Sequence, residues 1–192
     1  MKDLRVRLLR AAEQEIAVCG PSGASLRAIA RRVGVSHQAT AHHFDDRAGL
    51  FTALALEGTH LLYDETVAAI ASAPVEGGHQ VAAAGAAYVS FALRRPTMFD
   101  VMYRPELLHA DDPALVEASN RNRELMIDAI TRAQATGWGA MLPAAEIAML
   151  GWATVHGLAV LQRNGHAATL YPDVDTDDIL SRVVHALDAI TG

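Results

Sequence analysis

Twenty residues, from Ser25 to Phe44, constrain the fold of this chain more than any other stretch. Leu26, Ile29, Ala30 and Val33 recur at steps of three and four, so 26–33 reads as a short helix with one apolar stripe, capped by Ser25. Gly34 breaks it, and Ser36 is placed to cap another short helix that runs to about His43. Helices this brief are marginal alone in water, because nucleation costs more than two turns of hydrogen bonds return. They persist when packed on each other, as a helix-turn-helix joined by three or four residues that include a glycine. Ala30 is small where the two helices must cross, and Val35 is placed to fill the angle between them.

The rest of the chain repeats the helical period. Leu9, Ala12, Ile16 and Cys19 mark a helix over about 3–19, ended by Gly20 and Pro21. Arg47 opens a long helix to about Ser72, followed by helices over 76–95 and from Pro96 to Tyr103, the latter rich in aromatic and Met side chains. Asp112 and Pro113 start another that Gly137 ends, and Pro143 starts one that Gly165 ends, apolar on nearly every side between Ile147 and Leu161. A polar linker over 171–178 precedes a last helix, about 177–190. Alanine supplies 37 of the 192 residues and β-branched runs are short, which suits packed helices and disfavours an all-β or doubly wound fold. The expectation is an all-α chain of about nine helices: a three-helix head over 1–46 and a helical body over 47–192.

Charge follows the same division. Residues 1–50 carry eight basic and five acidic side chains, a formal +3, while the remainder stands at −9 within a total of −6. A basic head on an acidic body concentrates any phosphate affinity in the head. The single Cys19 excludes an internal disulfide framework and any cysteine-based zinc site, and fits a reducing, cytoplasmic compartment. No stretch approaches ~20 uninterrupted apolar residues, so no membrane partner is expected. Nucleophile elbow, P-loop, dinucleotide fingerprint and HisGluXaaXaaHis pattern are all missing, so the sequence supports no enzyme, cofactor or metal.

The second helix of a helix-turn-helix enters the major groove with its N-terminal residues toward base edges. Here those are His37, Gln38 and Thr40, with His42 and His43 behind. Gln can pair bidentately with adenine, and Thr can touch a thymine methyl. Two other readings of these residues exist: a plain helical protein-interaction module without DNA binding, and a metal-dependent hydrolase using His37, His42 and His43. Adjacent histidines on a helix point ~100° apart and share one ion poorly, which disfavours the second.

The run SLRAIARRVGVSHQATAHHFDDRAGLF, residues 25–51, resembles the N-terminal domain of TetR-family transcriptional regulators: a Gly-Val-Ser turn, a short recognition helix ending in His-Phe, then a basic residue and Leu opening the fourth helix. Residues 88–103 and the run WATVHGLAV at 152–160 resemble the regulatory domain named for its Trp-His-Gly signature. The resemblance implies a homodimer with a DNA-reading head and a ligand-binding body. It implies DNA contacts from Arg27, Ser36, His37, Gln38, Thr40, His42, His43 and Arg47. Arg47 replaces the usual Lys as a phosphate donor near a helix N-terminus. Where the family usually has Tyr, two residues before its conserved His, this chain has Ala41, so that phosphate contact is lost or made by His42.

The same resemblance implies a double-stranded, palindromic operator and a small, mostly hydrophobic effector that releases it, as a ligand-responsive repressor would. Tyr88, Phe91, Phe99, Met102, Tyr103, Trp152 and His156 are the expected pocket walls, though their spacing equally fits plain core. His156 itself has three readings: a ligand-sensing group, a satisfied core histidine or an interface residue. The helices at about 144–164 and 177–190 are expected to pair across a two-fold axis, with Gly151 and Gly157 permitting close approach.

Overall fold

The computed structural model describes residues 2–175 together with Ile179 and Arg182. The described residues form an all-α fold of nine α-helices and two 3-10 turns, without strands. The helices are α1 (Lys2–Gly23), α2 (Leu26–Val33), α3 (His37–Phe44), α4 (Arg47–Ala71), α5 (His79–Arg94), α6 (Pro96–Met102), α7 (Pro113–Gln134), α8 (Ala144–Arg163) and α9 (His166–Leu170). The last helix expected from the sequence, about 177–190, falls outside the described residues. The short α9 was not expected: Gly165, in the left-handed region at φ 70, does end α8, but the chain then makes one further helical turn. Similarly, α1 carries a break at Gly20 (φ 73, ψ 165), beyond which Pro21 opens an extra turn to Gly23. The helix expected over 76–95 starts later, because Gly77 and Gly78 take positive φ and confine Glu76–Gly78 to a 3-10 turn.

Two compact units emerge, one comprising residues 1–60 and 95–119, the other 61–94 and 120–192, so α4 contributes its first half to one and its second half to the other. In the first unit α2 packs on α1 and α3, and α6 packs on α1. Its core is built from Leu8, Ala12, Ile29, Leu50, Phe51, Leu54, Met98 and Phe99, all nearly or fully buried. Gly58 of α4 lies against α6: a Cβ there would stand 2.6 Å from Met102 Sδ and 2.7 Å from Met98 Cγ.

In the second unit α5 lies along α8. One cluster joins Val81, Ile130, Ala133, Trp138 and Ile147, and another joins Ile70, Ala84 and Ala129. Trp138 follows the Gly137 turn (φ 98), and its indole fills the space beside Gly78, where a Cβ would meet the ring at 2.6 Å. Helix α8 buries few residues, Ile147, Leu158 and Ala159 among them, and exposes Met149, Leu150, Trp152 and Leu161. By length and composition alone it could cross a membrane, although its apolar run is interrupted by polar residues.

Candidate nucleic-acid interface

The two short helices of the head are tied at both ends. Ser25 Oγ accepts from the Ala28 amide at 3.2 Å, and Ser36 Oγ accepts from the Ala39 amide at the same distance. Each serine thereby satisfies a first-turn N–H that the helix cannot pair internally. Gly34 adopts φ 75, ψ 31, and its N–H together with that of Val35 returns to the last carbonyls of α2, from Arg31 and Ala30. At the far end of α3 the chain turns through Asp45 at φ 59, and Asp46 then caps α4 by accepting from the Gly49 amide at 2.7 Å. That bond, with His109 Nε2 3.1 Å from the same oxygen, holds the Asp46 carboxyl below its ordinary range; the bond to Gly49 is the larger cause. His109 is tied to α4 a second time, its backbone N–H donating to Thr52 Oγ1 at 2.9 Å.

What this scaffold presents is one face of α3. His37, Gln38 and His42 are exposed and Ala41 is partly so, the four lying at i, i+1, i+4 and i+5. Thr40 is not on that face. It is 0% exposed, one turn before buried Phe44, and its hydroxyl has no hydrogen-bond partner among the described residues. The helical period carries this information: a face containing 37, 38 and 42 turns residue 40 inward. Thr40 therefore packs the helix pair and, in this conformation, offers no surface to a base edge. His43 is half-buried with its ring 6.2 Å from that of Phe44, over which the Arg5 guanidinium also lies at 5.3 Å.

The arginines of the head divide into those already engaged and those facing solvent. Arg7 donates to the Val33 carbonyl, Arg10 pairs with Glu57 at 2.9 Å and Arg32 pairs with Glu15 at 2.6 Å. Arg47 is half-buried, donates to the Pro21 carbonyl and lies 4.9 Å over the Phe51 ring, so its guanidinium ties the start of α4 to the end of α1. Arg27 and Arg31, one turn apart on α2, are exposed and have no ion-pair partner among the described residues. Arg31 is not among the expected contacts, although its spacing by four from Arg27 points to it.

Residues 8–54 match the model for bacterial regulatory proteins of the tetR family, and residues 81–187 match the tetracyclin repressor-like C-terminal domain. The chain belongs to the TetR family. Its two matched segments identify it as a transcriptional regulator with a helix-turn-helix head. A solved protein of unknown function from Rhodococcus sp. RHA1 is similar at 32% identity and TM-score 0.85, covering 98% of this chain and 95% of its own. More distant likenesses, which speak for the fold, include the TetR-family transcriptional regulator PfmR from Thermus thermophilus (14% identity, 95% and 97% coverage, TM-score 0.72). A bacterial regulatory protein of the tetR family from Rhodococcus RHA1 is another (18% identity, 98% and 96% coverage, TM-score 0.67). No curated protein matches the chain.

For a TetR-family regulator the second set of expected site residues concerns an effector. Tyr88, Phe91, Trp152 and His156 lie in the second unit, whereas Phe99, Met102 and Tyr103 lie on and just beyond α6 in the first. Phe99 is buried with its ring 4.8 Å from that of Tyr103. Tyr88, Trp152 and His156 form a connected group between α5 and α8. Trp152 Nε1 donates to Tyr88 Oη at 3.3 Å, and Tyr88 Oη lies 2.8 Å from His156 Nδ1. Burial, and secondarily the charge of Arg163, hold the His156 imidazole below its ordinary value. A separate open cavity of about 350 Å³ is lined by residues including Leu93, Gln162, Ala168 and Tyr171 and shares none of the expected walls. Among the described residues no group of three His, Cys, Asp or Glu side chains could hold a metal ion.

Proposed function

We propose that this TetR-family regulator is a cytoplasmic, sequence-specific repressor, acting without enzymatic activity as a homodimer on a palindromic operator. In this reading residues 1–46 are the head and 47–192 the regulatory body. The observation that carries it is the exposed face of α3, where His37, Gln38 and His42 stand together on a helix capped at both ends. Gln38 offers an amide that suits an adenine edge, while exposed Ser36 at the start of α3 and exposed Arg27 and Arg31 on α2 are the proposed phosphate contacts. Arg47 supports phosphate contact through the turn it braces, and His43 through the packing of Phe44.

Binding to a duplex selected from a random library tests this directly. Affinity should fall steeply with salt as bound phosphates release counterions. Gln38→Ala should relax preference at one or two base positions, at a cost of about 1–3 kcal/mol. Arg27→Ala should weaken all sequences alike. Selection that yields no enriched sequence would leave a helical protein-interaction module as the better account.

Dimerisation is supported by the outward face of α8. Met149 is 62% exposed and Trp152 46%, and a Cβ at Gly151 or Gly157 would meet nothing within 4 Å, which leaves room for a second α8 to approach. Met149→Glu combined with Leu161→Glu should convert a dimer to monomers at micromolar concentration, read by sedimentation. A parent chain already monomeric while it binds its selected duplex would end this part of the proposal.

In this reading the effector site is built on Tyr88, Trp152 and His156, with buried Phe91 three residues on from Tyr88 in α5. An apolar wall with a few convergent polar tips suits a small, mostly hydrophobic molecule. Ligand and DNA would then oppose each other with one coupling free energy, the same from either side.

A further inference from the structure

Helix α3 reads HQATAHHF: three histidines in eight residues, with no lysine, arginine or carboxylate. His37 and His42 are exposed beside Gln38. Among the described residues neither is held in an ion pair, and His42 makes only an edge contact with the His43 ring, at 5.9 Å.

Fixed charge around α3 comes from other elements. On α1 it is Arg5, stacked over Phe44, and on α2 it is Arg27, Arg31 and Arg32, the last spent on Glu15. Arg47 opens α4 and is tied to the Pro21 carbonyl. The carboxylates nearest in sequence are Asp45 and Asp46, and Asp46 is engaged by Gly49 and His109. The charge on the face that would meet DNA is therefore set by two imidazoles and by nothing else on that helix. Histidine is the side chain whose charge changes most readily between about pH 5 and 8. A neutral imidazole donates one hydrogen bond, whereas an imidazolium donates two and carries a charge that a phosphate-lined groove stabilises.

We propose that DNA binding by this regulator is proton-linked: His37 and His42 take up protons as α3 docks, so the same operator is held more tightly as the medium acidifies. The inference rests on the reading of α3 as the DNA-contacting helix. Its sign follows from linkage. If the complex binds more protons than the free partners, affinity rises as pH falls, and each proton taken up steepens the dependence by at most tenfold per pH unit. With two protons taken up, the affinity gain is bounded at about a hundredfold per pH unit, and a measurable rise between pH 8 and pH 6 is expected.

The test uses the full chain and a duplex selected from a random library at pH 7, with affinity measured by fluorescence anisotropy from pH 6 to pH 8 at constant ionic strength. A rising affinity toward pH 6, and a flattened slope in His37→Gln/His42→Gln whatever its absolute affinity, support the proposal. A parent slope of zero overturns it while leaving the DNA-binding reading intact. An unchanged slope in the double variant also overturns it, since other groups would then carry the linkage. Absence of binding at every pH overturns both. Should the double variant not fold, judged by helical circular dichroism, calorimetry of the parent in two buffers of different ionisation enthalpy decides. Proton uptake makes the observed heat depend on the buffer, and equal heats overturn the proposal.

Discussion

The two units hold their helices by different means. In the first, helix ends are fixed by specific polar contacts: Ser25 on Ala28 and Ser36 on Ala39 at the short α2 and α3, and Asp46 on Gly49 and Arg47 on the Pro21 carbonyl at the start of α4. In the second, long helices meet through Val81, Ile130, Trp138 and Ile147, and the most apolar of them leaves much of one face uncovered. Short helices bury too little to fix their own ends, so caps must define them. Long ones bury enough that their ends matter less, and what they leave exposed becomes available to another molecule. The ends of α2 and α3 are thus set by named hydrogen bonds, whereas α8 leaves Met149, Leu150, Trp152 and Leu161 exposed.

Two glycines put this contrast to its most severe trial. Gly49 lies in the first turn of α4, and a Cβ there would stand 2.1 Å from the Phe44 carbonyl oxygen. Backbone at that distance cannot yield cheaply, so Gly49→Ala should cost about 3 kcal/mol or more and abolish DNA binding with it. Gly151, in α8, has open space where its Cβ would point. Gly151→Ala should therefore gain up to about 1 kcal/mol of helix propensity in a dissociated chain. In a dimer closely packed at that glycine the gain should shrink or reverse, and the urea midpoint should then depend on protein concentration. Urea melts of both variants at two concentrations measure all of this. A Gly49→Ala chain as stable as its parent would break the account of the head.

Removing the caps is the next smaller step. Ser25→Ala and Ser36→Ala should each cost about 1 kcal/mol, because each leaves one first-turn amide without its acceptor. The two serines sit on adjacent, contacting helices, so the double variant need not be additive. Denaturation of the two single variants and the double variant gives the coupling directly. A coupling near zero would mean that α2 and α3 are capped independently and that their packing does not amplify the loss.

How much of this was legible in the sequence follows the same division. The capping serines, Gly34 and the span of α2 were readable because a cap and its helix lie within four residues of each other. Thr40 was misread because its residue type suits a base contact, while its position, four before Phe44, turns it inward. The clasp of Asp46 and His109 was invisible, since 63 residues separate the partners and neither sits in a motif. Trp138 escaped for a similar reason: it lies past a helix-ending glycine, where periodicity no longer says which way a side chain faces. For α8, the apolar circumference was readable but not which arc of it α5 covers.

The smallest expected effect belongs to the second unit and is electrostatic. His156 is held below its ordinary value of 6.5, first by burial between α5 and α8 and then by the positive charge of Arg163. Unfolding returns the imidazole to the ordinary value. Between the lowered value and 6.5 the unfolded chain therefore binds more protons than the folded one, and stability rises with pH across that window. Acidification from neutral pH should remove that contribution, and it should be fully present above 6.5. Partial exposure and water screening keep it modest. In urea melts between about pH 5 and pH 8, His156→Gln should lose this part of the slope, read as the difference between parent and variant because other histidines also titrate. Arg163→Gln should trim the slope without abolishing it, since burial is the larger cause. If instead the difference between parent and His156→Gln is the same at every pH, the ring titrates alike folded and unfolded. The link from Trp152 through Tyr88 to His156 would then be open to water, and the connected polar group at the centre of the effector proposal would lose its physical basis.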